Sequence, residues 1–230
     1  MVLRRTPDGA DAVLEARELY RFYHAGAEET FALRGVSLLA RSGEMVAVVG
    51  PSGSGKSTLL SCLAGLDEPD AGTVFVAGHR ITRRPEADRA ALRASWIGVL
   101  LQSGNLIEHL TVRQNVRAAQ ALSTGRTRQP VDALLQMTGL LHRASAEPSA
   151  LSGGEAARAG LAVALANDPP VLLADEPTGE VDRENEARIL DLLRARSTAG
   201  GTVVVVSHSD RVAAAADRVV SLIDGRVTRG

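Results

Sequence analysis

The sequence predicts an α/β fold in which a mixed, mainly parallel sheet is joined to an N-terminal antiparallel β subdomain and an inserted α-helical subdomain. Residues 202–206 are apolar and β-branched without polar alternation, which is typical of a strand buried on both faces of a parallel sheet. Residues 45–49 form a similar run, followed by a glycine-rich loop and a helix-like segment. Between residues 111 and 166 the pattern is helical, which predicts an insert between strands.

The first part of the chain reads mainly as strands. A polar stretch at residues 1–11 predicts a loose end, and residues 25–29 read as a loop. Turns are predicted at residues 42–43 and 67–72, and a helix at 86–93. The predicted strands are 13–22, 31–40 with a break at Gly35, 45–49 and 73–76.

The second part alternates strands and helices. Residues 96–101 read as a buried strand, and the helical stretch is broken at 125–130 and 146–152. An apolar run at 171–174 ends in acidic residues. Residues 183–196 read as an amphipathic helix that buries Ile189, Leu190, Leu192 and Leu193. Residues 218–222 and the turn at 224–225 complete the predicted sheet.

The glycine-rich loop fits the pattern G-x-x-x-x-G-K-[ST], which wraps a nucleotide phosphate tail and indicates a P-loop NTPase core. Its glycines let the backbone approach phosphates, and successive amides and the following helix end attract anions. Lys56 is expected to reach the β and γ phosphates, and the Ser57 hydroxyl to ligate Mg²⁺. A chance glycine-rich turn has a probability of about 1%, and the strand–loop–helix context lowers it. The predicted binding residues are Gly50, Pro51, Ser52, Gly53, Ser54, Gly55, Lys56, Ser57 and Thr58.

Two acidic residues follow the strand at 171–174, where ligands bind in α/β sheets. We expect Asp175 to hold Mg²⁺, mainly through water, and Glu176 to deprotonate the water that attacks the γ-phosphate. The alternative is helix capping before Pro177, which the nearby phosphate loop makes less favourable. His208 ends the strand at 202–206 and is either structural or a hydrogen-bond donor to the γ-phosphate.

A second glycine-rich helix start lies at residues 151–155. Ser152 is a good N-cap, and Gly153 and Gly154 leave backbone amides free for a phosphate. The alternative is an ordinary capped helix. Because one nucleotide needs only one such nest, the second one suggests a site shared between two chains.

The composition excludes several classes. The 230 residues have a net charge of −1, so there is no bulk basic signature for nucleic acid. No apolar run approaches the ~18 residues that cross a bilayer, and the N-terminus lacks the apolar core of a signal peptide. Cys62 is the only cysteine, which excludes an intrachain disulfide and reads as a small buried helix residue. These features predict a cytosolic protein whose membrane part, if any, is supplied by another subunit.

Together these motifs resemble the ATP-binding subunits of ABC transporters over about residues 13–228, in the order and spacing of that family. Residues 50–58 look like Walker A, and 171–175 like Walker B with Glu176 as the catalytic glutamate. The signature-like stretch 151–155 distinguishes this family from other P-loop proteins, because Walker motifs alone occur in many of them. The other matches are the Q-loop glutamine Gln102, the D-loop at Val181-Asp182 and the switch histidine His208.

The resemblance implies further roles. Gln102 would touch Mg²⁺ and face the membrane subunit, and Tyr23 would stack on adenine, with Tyr20 and Phe22 as close competitors. Residues 12–101 and 169–230 would form the RecA-like core with the antiparallel subdomain, and residues 102–168 the Q-loop and helical signature subdomain. The signature residues that would contact the partner's nucleotide are Ser152, Gly153, Gly154 and Glu155.

The family also implies partners. Two chains, as a homodimer or heterodimer, would sandwich two ATP molecules head to tail, each between Walker A of one chain and the signature of the other. Closure on Mg-ATP and opening after hydrolysis would drive a membrane permease, with the chain peripheral at the cytoplasmic face of the cell membrane. No nucleic-acid partner is expected.

Within the family, residues 31–38, 50–60 and 174–179 resemble the branch of lipoprotein-release, macrolide-efflux and cell-division ATPases. Two departures stand out. Ala156 and Ala157 occupy positions where that branch has glutamines, which removes polar side chains near the dimer seam. The D-loop region 179–182 has Val181 where leucine is usual. Neither change touches the residues expected to carry hydrolysis.

Three functions are compared. The sequence favours the ATP-hydrolysing subunit of a transporter of export or mechanotransmission type. An ABC ATPase acting on ribosomes or DNA is disfavoured, since such members carry two ATPase units or long coiled-coil insertions. A permease-associated ATP-dependent regulator remains the alternative, because an intact Glu176 does not exclude slow hydrolysis in a regulator.

Overall fold

The computed structural model describes residues 12–25, 28–123, 129–179 and 181–229. The strands are β1 Ala12–Ala25, β2 Glu28–Arg41, β3 Met45–Val49, β4 Ala71–Val76, β5 His79–Arg80, β6 Ile97–Leu100, β7 Val171–Asp175, β8 Thr202–Val206, β9 Arg218–Ile223 and β10 Arg226–Arg229. The α-helices are α1 Lys56–Leu63, α2 Glu86–Trp96, α3 Val112–Ala121, α4 Val131–Met137, α5 Gly153–Ala164, α6 Arg183–Thr198 and α7 Asp210–Ala215. Short 3₁₀ turns occupy Leu141–Arg143 and Pro148–Ala150.

A six-stranded sheet carries the candidate site. Its strand order is β10-β9-β3-β8-β7-β6, with parallel pairing from β9 through β6 and an antiparallel strand β10 at one edge. Every residue of β8 is buried, which confirms the predicted strand of a parallel sheet. Because parallel strands end at the same edge, the segments after β3, β7 and β8 meet there.

The antiparallel subdomain is also confirmed. It is a four-stranded sheet of order β2-β1-β4-β5. The predicted break at Gly35 is instead an irregularity within a continuous β2, where Gly35 has φ +77° and the register with β1 shifts. Of the predicted loop at 25–29, residues 26 and 27 lie outside the described residues, and the others belong to β1 and β2.

The six-stranded sheet is covered on both faces. Val46 and Val48 of β3 join the core between the two sheets, whereas Met45 and Ala47 join the core beneath the helices α3 to α6. Each fully buried side chain of this size stabilises the fold by about 1.5–3 kcal/mol. Cys62 is fully buried as predicted, and burial raises the pKa of its thiol to about 12. The strand ends therefore project from a sheet that is packed on both sides.

The helical insert differs from the prediction in its details. The break at 146–152 is confirmed, but an additional one follows α4, where Gly139 has φ +70°. Of the predicted break at 125–130, residues 125–128 lie outside the described residues, as do the predicted loose end 1–11 and Glu180 of the D-loop region. The division of the chain into two subdomains at residues 102–168 stays a prediction.

Two ends of a predicted strand and one predicted buried residue were wrong. Trp96 is the last residue of α2 and Leu101 follows β6, so the strand is shorter than residues 96–101. Leu192 of α6 is half-buried, whereas Ile189, Leu190 and Leu193 form the buried face.

Within the residues that the structure describes, no helix has both the length and the apolar character needed to span a membrane.

Candidate nucleotide site

The phosphate loop joins β3 to α1, as predicted. Gly55 caps α1 with φ +98° and offers no side-chain acceptor, so the first helical amides have no side-chain cap. The Lys56 ammonium donates to the carbonyl oxygens of Gly50 at 3.0 Å and Pro51 at 2.9 Å. An ammonium has three protons, which leaves one for a phosphate oxygen without breaking either bond. The loop thus presents amides and one cation to the same side.

Two glycines of this loop are required for a reason that the sequence did not reveal. A Cβ at Gly50 would overlap the Leu222 carbonyl oxygen of β9, and one at Gly55 would overlap the Ala32 carbonyl oxygen of β2. Gly53, by contrast, has φ +78° and no neighbouring atom within 4 Å. Two of the three glycines are therefore required by contact with the protein's own backbone.

One buried atom in the loop fits a phosphate ligand. The Ser54 hydroxyl is buried and has no hydrogen-bond partner among the described residues. A buried polar group without a partner destabilises a fold, and such groups in native proteins often serve a ligand. The hydroxyl and the free amides of α1 are donors, as an anionic tail requires.

Ser57 and Asp175 meet across the strand ends. The Ser57 hydroxyl donates to Asp175 Oδ1 at 3.2 Å. Burial raises the pKa of Asp175, opposed by the hydrogen bond from Ser57 and the charge of Lys56. A hydroxyl beside a carboxylate is an oxygen donor set that suits Mg²⁺. Gln102 is exposed just after β6 and lines a groove of about 300 Å³ together with Glu176, so it faces the same edge.

We expect Asp175→Asn to raise the free energy of unfolding at neutral pH. The pKa of Asp175 lies above its ordinary 3.8, so the folded chain binds this proton more tightly than the unfolded chain. The charged carboxylate therefore destabilises the fold above the folded-state pKa, and this penalty disappears as the pH falls through that pKa. Asparagine removes the charge and keeps an oxygen that accepts from Ser57.

Urea unfolding at a series of pH values from about 7.5 down to about 4 measures this effect. The stability gap between Asp175→Asn and the unaltered chain should narrow as the pH falls. Asp191→Asn, at an exposed aspartate of α6, is the control for the substitution itself. If the difference in stability between Asp175→Asn and the unaltered chain widens toward low pH, burial is not what raises the pKa of Asp175.

Glu176 sits in a constrained position directly after β7. Its φ is +45°, a left-handed conformation that is costly for a residue with a Cβ, and its amide donates to the Val206 carbonyl at 2.9 Å. Ser207 Oγ donates to Glu176 Oε2 at 2.9 Å, and His208 Nδ1 lies 2.9 Å from Oε1. The structure thus brings together the predicted pair Glu176 and His208. Ser207 was not among the residues predicted from the sequence, although its place directly after β8 was a signal.

The signature-like stretch caps its helix. The Ser152 hydroxyl accepts from the Glu155 amide, and the Glu155 carboxylate accepts from the Ser152 amide, so the capped-helix alternative is present. The Ser152 amide is the main cause of the lowered pKa of Glu155. The helix begins at Gly153, within the predicted helix start at residues 151–155, so the amides of Gly153 and Gly154 lie in its first turn. No hydrogen bond among the described residues joins this stretch to the phosphate loop of the same chain.

A buried arginine links this helix to the start of α6. Arg158 donates to the Thr138 carbonyl at 3.1 Å and to Asn185, whose amide side chain bonds to Asp182 of the D-loop at 2.8 Å. Gly154 packs against Asn185 without room for a Cβ. Ala156, Ala157 and Val181, the departures noted in the sequence, line the same groove as Gln102. This connection between the signature and the D-loop was not visible in the sequence.

The aromatic candidates occupy different surroundings. The Tyr23 hydroxyl donates to Asp67 at 2.7 Å, and Arg21 lies over its ring at 4.6 Å. The Phe22 ring packs on Phe31 instead, with centroids 5.7 Å apart. Tyr20 packs against Gly35, where a Cβ would lie 2.9 Å from its hydroxyl. The Tyr23 hydroxyl thus bonds to the segment that follows the phosphate-loop helix α1.

Comparison with known proteins gives consistent matches. The ABC transporter family profile matches residues 33–179. The chain is similar to the macrolide export ATP-binding/permease protein MacB of Chlorobium luteolum (strain DSM 273 / BCRC 81028 / 2530), at 41% identity over 217 residues, covering 94% of this chain and 33% of that protein. It is also similar to MacB of Shigella flexneri, at 40% identity over 220 residues, covering 94% and 34%. The chain thus spans about a third of the length of these curated relatives.

Solved structures match over almost their whole length. The dimeric structure of MJ0796, a bacterial ABC transporter cassette, superposes with a TM-score of 0.87 at 35% identity, covering 94% of this chain and 97% of that chain. A dimeric post-hydrolysis state of the MJ0796 cassette bound to ADP and Pi also gives 0.87, at 34% identity and the same coverage.

Proposed function

This chain belongs to the ABC transporter family, and from that premise we propose that it is the ATP-hydrolysing subunit that powers a separate membrane permease of export or mechanotransmission type. The observation that carries the proposal is the gathering of Lys56, Ser57, Asp175, Glu176 and His208 at one edge of the six-stranded sheet. That set combines a phosphate cradle, oxygen donors for a cation, and a base, which together are what phosphoryl transfer to water requires.

Each residue has one proposed task. The α1 amides and Lys56 bind the β and γ phosphates, and Ser57, Asp175 and Gln102 hold Mg²⁺. When bound there, Mg²⁺ supplies neutralisation of phosphate charge. Glu176 accepts a proton from the attacking water, and His208 donates a hydrogen bond to the γ-phosphate. Tyr23 offers its ring to the adenine.

We propose that the working unit is a head-to-tail dimer. The signature amides of Gly153 and Gly154 begin α5, and no hydrogen bond among the described residues ties them to the chain's own phosphate loop. In a second copy the same amides and the Ser152 hydroxyl would meet the γ-phosphate held by the first. The dimeric form of the similar MJ0796 cassette supports this arrangement.

An apolar groove supports a permease partner. It has a volume of about 610 Å³ and lies between α2, β6 and α3, with Leu66 and Leu122 at its rim, 47% and 76% exposed. Exposed apolar side chains around a groove are typical of a protein interaction site. The MacB relatives are by name ATP-binding/permease proteins, so we propose that a cytoplasmic helix of the permease occupies this groove, with the chain peripheral at the cytoplasmic face of the membrane.

The test separates the motor from its attachment. Leu122→Glu should release the chain from membranes of its native host, with at least a tenfold loss of membrane-bound chain, because a charge in an apolar interface is costly. The ATP hydrolysis rate of the purified variant should stay within about twofold of the unaltered chain, since Leu122 lines the apolar groove and is not among the residues proposed to act on the nucleotide. Membrane fractionation and phosphate release measure the two effects.

Ile223→Glu provides the matched control. Ile223 is 44% exposed on β9, close to the opposite edge of the six-stranded sheet from the groove. This variant should keep both membrane attachment and hydrolysis. If Leu122→Glu remains attached as firmly as the control, the proposed docking groove is wrong. If the unaltered chain neither binds nor hydrolyses ATP, the proposed motor is wrong.

A further inference from the structure

Both carboxylate oxygens of Glu176 are held, but by residues of very different exposure. Oε1 is engaged by His208, whose side chain is 73% exposed, and Oε2 by Ser207, which is fully buried. An exposed side chain can change rotamer readily, whereas a buried one is locked by its packing. The two partners of Glu176 therefore differ in whether they can move.

The Ser207 hydroxyl has a fixed direction. Its oxygen accepts from the Ser209 amide at 3.1 Å, and its only proton points at Glu176 Oε2 at 2.9 Å. The Ser207 amide donates to the Val48 carbonyl of β3 at 3.1 Å, which ties the residue to the centre of the sheet next to the phosphate loop. The Ser207 hydroxyl is thus fixed by the Ser209 amide and directed at the Glu176 carboxylate.

We propose that Ser207 is a positioning residue for the general base. This inference rests on the proposed role of Glu176. Ser207 anchors Oε2 throughout the cycle, while His208 releases Oε1 when it turns to the γ-phosphate. The anchored carboxylate then presents Oε1, and not a freely rotating group, to the attacking water. A hydrogen bond from a fixed donor to a charged acceptor is among the stronger ones in proteins.

This arrangement serves the hydrolysis step. Water oxygen bonds to the γ-phosphorus while the bond from that phosphorus to the bridging oxygen breaks. ADP leaves with the electron pair, and a proton of the water passes to Glu176 Oε1. Ser207 contributes no proton to the reaction and remains bonded to Oε2.

Ser207→Ala in the full chain tests the proposal. We expect kcat to fall by a factor on the order of ten to one hundred and KM for ATP to change less than about twofold, because the lost hydrogen bond acts on the base and not on nucleotide binding. Ser207→Thr retains a hydroxyl and should recover kcat to within about threefold of the unaltered chain. In the Glu176→Gln background, Ser207→Ala should add no further loss, since the base is already absent.

The control is Ser197→Ala. Ser197 is also buried, but its hydroxyl donates to the Arg194 carbonyl within α6, away from the site. It should leave kcat within about twofold. If Ser207→Ala lowers the amount of folded protein, Ser207→Cys replaces it, because a thiol of similar size is a weak donor and should give the same loss of kcat. Single-turnover assays with excess chain measure hydrolysis that is too slow for steady-state methods.

The outcomes separate this inference from the proposed function. A chain that hydrolyses ATP but shows no change in Ser207→Ala, or a change in KM alone, overturns the role of Ser207 and leaves the motor standing. A threonine variant as slow as the alanine variant also overturns it. A loss in kcat that vanishes in the Glu176→Gln background supports it. An unaltered chain that does not bind ATP at all overturns the proposed function instead.

Discussion

Glu176→Gln is expected to slow ATP hydrolysis by about three orders of magnitude while leaving ATP binding intact. Glutamine has the shape of glutamate and can still accept from Ser207, but its amide cannot take a proton from water. Because the nucleotide then persists, the variant should accumulate as a dimer with Mg-ATP, whereas the unaltered chain returns to monomer after hydrolysis. Phosphate release and size exclusion with light scattering measure the two effects.

Glu184→Gln is the matched control for this variant. Glu184 is an exposed residue in the first turn of α6 whose only described ion pair is with Arg188, four residues further along the helix. Its variant should hydrolyse ATP at the normal rate and show no stable dimer. If Glu176→Gln binds ATP yet never dimerises, the chain needs a different partner to complete its site, or Ala156 and Ala157 weaken the homodimer. If Glu176→Gln hydrolyses at the normal rate, the general base lies elsewhere.

Gly55→Ala is expected to destabilise the fold by about 2–6 kcal/mol and to abolish ATP binding. A Cβ at this position would overlap the Ala32 carbonyl oxygen of β2, and the φ of +98° is strained for any residue with a Cβ. Left-handed strain costs about 1–3 kcal/mol, and forcing atoms into a packed region costs a similar amount. The phosphate loop and β2 cannot both keep their places, so the amides of α1 would lose their alignment.

Gly53→Ala separates strain from overlap. Gly53 also has a positive φ, +78°, but has open space around the position of a Cβ. Gly53→Ala should destabilise the fold only through left-handed backbone strain, by about 1–2 kcal/mol. Urea unfolding without nucleotide compares the two variants, so that effects on ATP binding do not enter the stability measurement. If Gly55→Ala and Gly53→Ala lose the same amount of stability, contact with β2 is not what requires a glycine at position 55.

The sequence was sufficient where local patterns reflect the environment of a residue. The valines of β8 could only lie inside a doubly covered parallel sheet, and the phosphate-loop motif carried its own strand–loop–helix context. Periodicity was less reliable at element ends. Trp96 was assigned to β6 because the apolar end of a helix and the apolar start of a strand look alike in sequence. In the structure Trp96 belongs to α2, because it completes the last turn of that helix.

The sequence by itself determined the family resemblance, the main elements and the identity of the chemical groups: an amine, a hydroxyl, two carboxylates and an imidazole after particular strands. Only the tertiary structure decided which of them touch. Ser207 became visible as a partner of Glu176 because β7 and β8 pair side by side, and the need for Gly50 and Gly55 became visible because β9 and β2 pass close to the loop. Local residue patterns encode burial and backbone preference, whereas contacts between distant segments depend on strand order and register, which a single sequence does not display.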